Sequence, residues 1–221
     1  PFEDPPAELA PVGGYSAQLA GEDDDDYTYR KMLEALDTEI GRLLESIDPA
    51  QTHIILIGDN GTPGAVVQAP YGNGHAKGSI YSGGTHVPMI VAGPAVTVTP
   101  GSTTDKLVHC IDLFSTIIEL AGIDESTVTG LAAMNVQSTS IVPILSGTDT
   151  VDRSMVAEIG QNTHGRAIIT DDYPDYKLVI LGDPDDTTDD PVFEFFYLTT
   201  DENEQSPLAI DITKTYEIDP T

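Results

Sequence analysis

Two short stretches carry residue types that can do chemistry. The first is Gly58-Asp59-Asn60-Gly61, directly after the apolar run His53-Ile54-Ile55-Leu56-Ile57. Such a run, bounded by polar residues, predicts a strand buried on both faces of a parallel sheet. Ligands of α/β sheets gather beyond the carboxyl ends of strands, which is where Asp59 and Asn60 stand. A carboxylate beside an amide oxygen offers hard donors, suited to Ca2+ or Mg2+ rather than Zn2+. Asp-Asn-Gly is also a common turn sequence, and taken by themselves these residues are better accounted for by an Asx turn after a strand. The second stretch is Gly74-His75-Ala76-Lys77-Gly78-Ser79-Ile80-Tyr81-Ser82-Gly83-Gly84-Thr85-His86-Val87-Pro88. A lysine in so glycine-rich a loop can bring a compact ammonium to an anionic oxygen and stabilise charge developing in a transition state. A solvated loop lysine is the plain alternative. His75, two residues earlier, can pass a proton to a leaving-group oxygen; an ordinary loop histidine is the alternative there.

These residues need elements to position them. Met32, Leu36, Ile40, Leu43, Leu44 and Ile47 recur at helical spacing and predict a helix over residues 27–47, ended by Asp48-Pro49. Ahead of it, the prolines, Gly13-Gly14 and the acidic run at 22–26 read as coil and solvated loop. Behind the first strand, a Gly-rich loop over 62–84 leads to a second buried strand at 87–91, closed by Gly93-Pro94. Leu107, Ile111, Phe114, Ile117, Ile118 and Leu120 predict a helix over 106–121, stopped by Gly122. Strand, loop, strand, helix is the order of an α/β layer fold. Beyond residue 150 the texture changes to short β-prone runs at 155–159, 167–170, 176–181 and 192–198, separated by Asp-, Gly- and Pro-rich turns. They predict a small antiparallel sheet, and so a division into residues 1–150 and 151–221.

Composition narrows the partners. Among 221 residues, 9 Lys and Arg face 37 Asp and Glu, a formal net charge of -28. That field repels phosphate backbones and anionic membranes, which removes nucleic acid from the candidate partners. A single cysteine, Cys110, excludes a disulfide framework and a Cys-based metal cluster. Its apolar neighbours at 107–111 predict a buried, inert thiol. No apolar run reaches the length of a membrane span. The sequence opens Pro1-Phe2-Glu3-Asp4-Pro5-Pro6 without an initiator Met or a visible signal peptide, and reads as the interior of a longer protein.

The two chemical stretches acquire a common meaning when read together. Asp-Asn-Gly after an apolar strand, then Lys-Gly-x-x-Tyr-x-Gly-Gly-x-x-Val-Pro before another, closely resembles the sulfatase family of the alkaline phosphatase superfamily. Residues 37–44 resemble the helix ahead of that family's metal strand, and residues 112–122 its helix after the second strand. Phe196-Tyr197-Leu198 with Asp201 and Glu204 resembles its C-terminal strand and turn. The resemblance runs over nearly the whole chain. It implies part of an alkaline-phosphatase-like three-layer α/β/α sandwich, followed by a small antiparallel β-sheet subdomain.

The resemblance further implies Asp59 and Asn60 as ligands of a Ca2+-type metal and Lys77 as a contact to sulfate. Family members use a formylglycine made from Cys or Ser in Cys/Ser-x-Pro-x-Arg, whose hydrate attacks sulfur before sulfate is eliminated. Neither form of that motif occurs in these residues. The nucleophile, the acidic pair completing the metal site and the remaining cationic sulfate contacts are expected in a missing N-terminal part, and the isolated chain is expected to be inactive. Ser82 stands where the family usually has an acidic residue, and His86 where it often has Arg. The implied partner is a sulfated small molecule or polysaccharide, and the implied location periplasmic or extracellular. His53, His109 and His164 read as satisfied structural histidines. A phosphatase or phosphodiesterase relative and a non-catalytic acidic binding module stand as alternatives.

Overall fold

The computed structural model describes residues 2–131, 136–160, 164–182 and 191–209. Helix α1 (Asp24–Leu44) opens on Asp23, whose side chain accepts from the Asp25 N–H, with Asp24, Asp25 and Asp26 in its first turn and Arg42 in its last. Of the acidic run at 22–26 expected to be a solvated loop, Asp24, Asp25 and Asp26 are therefore the start of the helix and Asp23 is its cap. A capping carboxylate and negative charge on the first turn complement the helix dipole, so the helix starts three residues before the expected 27 and, ending at Leu44, stops three before the expected 47. Arg30 binds Glu22 at 2.7 Å and Glu34 at 3.1 Å, holding the preceding loop against the helix.

Strand β1 (Ile54–Ile57) and strand β2 (Met89–Ala92) form a two-stranded sheet. Their pairing is antiparallel, Ile54 opposite Ala92 and Ile57 opposite Met89, which corrects the expected parallel arrangement. Parallel neighbours need a long crossover, usually a full helix. Between these strands the chain instead doubles back through turns and the single-turn helix α2 (Ser82–Thr85). Leu56 and Ile90 are exposed, so the strands are not buried on both faces.

Helix α3 (Asp112–Leu120) begins later than its apolar spacing predicted, because Asp112 fixes the boundary. Its buried carboxylate accepts from the backbone N–H groups of His109 and Thr139, each at 2.9 Å. Thr116, also buried, donates its hydroxyl to the Asp112 carbonyl and accepts from the Ile141 N–H, tying α3 to the segment before α4 (Val142–Leu145). The packed face of α3 is thus polar, while Ile111, Phe114 and Ile117 are exposed. Cys110 is exposed in the turn before α3, which corrects the expected buried thiol: the residues around it are not helical and do not bury it.

The second sheet is four-stranded and antiparallel, ordered β3 (Met155–Ile159), β4 (Gly165–Thr170), β5 (Tyr173–Leu181), β6 (Val192–Tyr197). Its inner face carries the main core, where Ala167, Val179 and Phe196 pack with Ile80 and Tyr81 from the Gly-rich loop. The loop and the C-terminal sheet therefore share one apolar cluster. Helices with two antiparallel sheets make this an α/β chain, and none of the described helices is long and apolar enough to cross a membrane.

Candidate functional site

The two chemical stretches are interlocked through their backbones. Gly58 donates its N–H to the Pro88 carbonyl at 2.9 Å, Gly61 to the Gly84 carbonyl at 3.1 Å, and Lys77 to the Thr62 carbonyl at 2.9 Å. The glycines between them have a steric reason. A Cβ at Gly61 would lie 1.9 Å from the Gly83 oxygen, one at Gly83 2.0 Å from the His75 oxygen, and one at Gly84 2.3 Å from the Ser79 oxygen. No side chain fits at any of the three. The turn that ends β1 and the loop around Lys77 can touch only because these positions lack side chains.

On this frame Asp59 and Asn60 are exposed, immediately past β1. The Asn60 amide donates to Asp59 Oδ1 at 3.2 Å, an orientation that leaves the amide oxygen and the second carboxylate oxygen uncommitted among the described residues. Two hard oxygen donors side by side fit a share of the six to eight that Ca2+ takes. Among the described residues no group of three or more His, Cys, Asp or Glu side chains assembles around them. Lys77 is exposed, and its ammonium has no hydrogen bond or ion pair among the described residues. It is free to meet an anion.

His75 is held differently. Its ring stacks on Tyr81 with centroids 3.8 Å apart and planes 6° from parallel, and its Nδ1 lies 3.5 Å from Gln205 Nε2. Tyr81 is buried and donates its hydroxyl to Glu194 at 2.6 Å. Burial first, and the Glu194 carboxylate second, push its phenol well above the ordinary range. Tyr81 thus stays neutral, a fixed platform under the imidazole. Of the other histidines, His109 accepts from the Ile111 N–H through Nδ1 at 3.2 Å, whereas His53 Nδ1 is buried without a hydrogen-bond partner among the described residues, against the satisfied role expected of it.

Sequence reasoning missed the group behind this loop. Lys177 on β5 and Glu204 after β6 are both buried and bonded at 2.8 Å, and Glu204 also accepts from the Ser82 N–H at 3.0 Å and from the Ser82 hydroxyl. One signal was available. Lys177 shares the inner side of β5 with Val179, and a lysine facing a core needs an anionic partner.

The sulfatase family model matches residues 8–123, just over half of the chain, a span that includes Asp59, Asn60, His75 and Lys77. Arylsulfatase K of Xenopus laevis is 26% identical over 124 residues, covering 54% of this chain and 20% of that protein. A sulfatase of Formosa agariphila is 34% identical over 110 residues, covering 42% of this chain and 19% of that protein. The match spans about a fifth of the length of these curated relatives.

Proposed function

The chain belongs to the sulfatase family, and from that premise we propose that it forms one wall of a site hydrolysing sulfate esters. Asp59 and Asn60 supply oxygen ligands to a Ca2+-type metal, with Mg2+ the alternative. Lys77 contacts the sulfate group, and His75 faces the leaving-group oxygen as proton donor. The metal, when bound, neutralises charge on the sulfate and draws electron density from its oxygens. The observation that best supports this reading is the glycine interlock, with Gly61 bonded to Gly84 and Lys77 to Thr62. Because the turn and the loop are one backbone unit, the interlock supports reading a ligand held by Asp59 and Asn60 and an anion met by Lys77 as parts of one site.

The division of labour follows from residue chemistry. Lys77 offers a point charge that no carboxylate binds among the described residues, which matters in a chain of net charge -28. It stabilises negative charge as the S–O bond of the ester breaks. The departing oxygen needs a proton, and the stacking on Tyr81 holds the His75 ring in one orientation for that transfer. The nucleophile of the family is outside these residues, since no Cys/Ser-x-Pro-x-Arg occurs among them. Binding and positioning are the work assigned to this stretch. The complete catalytic domain is read as a three-layer α/β/α sandwich to which residues 1–150 contribute, with 151–221 as its β subdomain. The substrate is a sulfated small molecule or polysaccharide, met in the periplasm or outside the cell.

Lys77→Ala in the full-length protein tests the reading. Loss of one preorganised donor to a developing anion lowers kcat/KM on an aryl sulfate by about 100-fold or more, and the melting temperature holds because Lys77 is exposed. A wild-type rate would remove Lys77 from the mechanism. The 221-residue chain by itself is expected to show no turnover with added Ca2+; metal-dependent hydrolysis by it would overturn the division of labour.

A further inference from the structure

Beneath the Lys77 loop lies a charged arrangement that the proposed chemistry does not use. Lys177 stands on the inner face of β5, and Glu204 in the turn after β6, with 4% and 0% of their side chains exposed. Glu204 holds a positive φ of 56°, a conformation non-glycine residues rarely adopt. Its carboxylate is fully engaged, by the Lys177 ammonium, by the Ser82 N–H and by the Ser82 hydroxyl. Ser82 opens α2. The next two residues, Gly83 and Gly84, are the ones locked against His75, Ser79 and Gly61.

Stability alone does not account for such a group. Two charges lose their hydration on burial, and well-packed apolar residues in their place are often as stable or more so. What the carboxylate adds is direction. Gly78, Gly83 and Gly84 have no side chains with which to fix their own register, and a bond to the Ser82 N–H fixes it from outside. The partners are 122 residues apart along the chain, so the bond crosses from the C-terminal turn to the loop.

We propose that Glu204, held in place by Lys177, is a positioning residue of the sulfate site: it grips Ser82 and so sets the loop that carries Lys77 and that abuts the Asp59-Asn60 turn. This rests on the reading of Lys77 as the sulfate contact.

The test uses the full-length protein with Ser82→Ala, Ser82→Thr and, as a reference, Lys77→Ala. Ser82→Ala removes one tether but leaves Glu204 paired with Lys177, so no buried charge is stranded. Three quantities are read: amide hydrogen exchange of the peptide covering 77–85, kcat/KM on an aryl sulfate, and inhibition by inorganic sulfate. Loss of a hydrogen bond to a carboxylate should speed exchange in that peptide about tenfold while β5 and β6 are unchanged. The same loss should lower kcat/KM and weaken sulfate inhibition by about tenfold each, and Ser82→Thr, which keeps the hydroxyl, should restore all three. Unchanged exchange in Ser82→Ala would overturn the tether. Faster exchange with unaltered kcat/KM and sulfate inhibition would overturn the positioning role while leaving the sulfatase reading intact. A wild-type rate in Lys77→Ala would instead defeat the site reading, and this proposal with it.

Discussion

A carboxylate with none of its side chain exposed and an ammonium 4% exposed tolerate burial only as a pair. Burial pulls the Lys177 ammonium below its ordinary pKa, and the Glu204 carboxylate beside it pushes back. Lys177→Met leaves Glu204 buried and unpaired, and should lower unfolding stability by about 3–5 kcal/mol. Adding Glu204→Gln removes the stranded charge and should recover more than half of that loss in urea unfolding. If the double variant is no more stable than the single one, the pair does not act through its charges. Backbone contact sets a second residue-scale limit. Gly61→Ala forces a methyl group to within 1.9 Å of the Gly83 oxygen, where overpacking of this kind costs about 1–3 kcal/mol. A melting temperature equal to wild type would mean that the turn and the loop are not interlocked. Neither feature could be read from the sequence in full. The glycines were visible as a pattern, but which of them touched was not, and the Lys177–Glu204 bond joins residues that local patterning never compares.

Elements were legible where their signals are local. Helix α1 and the strand cores of β1 to β6 follow from apolar spacing and from Gly, Pro and Asp placement; the turns expected between β3 and β4 and between β5 and β6 lie largely outside the described residues. Strand direction is not a local property: Ile54–Ile57 has the same composition whether its neighbour runs parallel or antiparallel. The starts of α1 and α3 were misplaced for a related reason, since each is fixed by an aspartate and not by the apolar stripe. The loop ahead of α1 also carries a pH dependence. The Glu22 carboxyl is held down to about 2, against an ordinary 4.5, first by its hydrogen bond to Arg30 and then by the Leu19 N–H. A carboxyl with a depressed folded pKa stabilises the fold fully above its unfolded value and loses that effect as pH falls through the folded one. The contribution of this contact should therefore be complete above pH 4.5 and fade toward pH 2. Arg30→Gln should flatten the loss of stability across that window relative to wild type. Identical acid titrations for the two proteins would show that the contact carries no stability.

At the scale of the whole molecule, two facts compete. Leu36, Leu43, Leu56, Ile90, Phe114 and Ile117 are exposed on α1, α3 and the two-stranded sheet, while a buried apolar cluster lies where the Lys77 loop meets the four-stranded sheet. Around both lies a net charge of -28, carried by 37 acidic and 9 basic residues. Added salt weakens exposed ion pairs such as Arg42 with Glu39, but such pairs contribute about 0–1 kcal/mol each. It also screens repulsion among the many carboxylates that have no cation to face, as the Debye length falls from about 10 Å at 0.1 M to about 3 Å at 1 M. With roughly four acidic residues for each basic one, the second effect should win, because the terms removed are mostly repulsive. Relief of about 1–2 kcal/mol corresponds to a rise in melting temperature of about 3–6 °C for a chain of this size. Sodium chloride is the salt to use, since sulfate would occupy the proposed site and would itself strengthen apolar burial. A melting temperature that falls or stays level between 0.1 and 1 M sodium chloride would show that the acidic surface is already compensated within the fold. A rise would mean that the site operates inside a repulsive field, so that substrate affinity should rise with ionic strength as well, up to the point where Lys77 is itself screened.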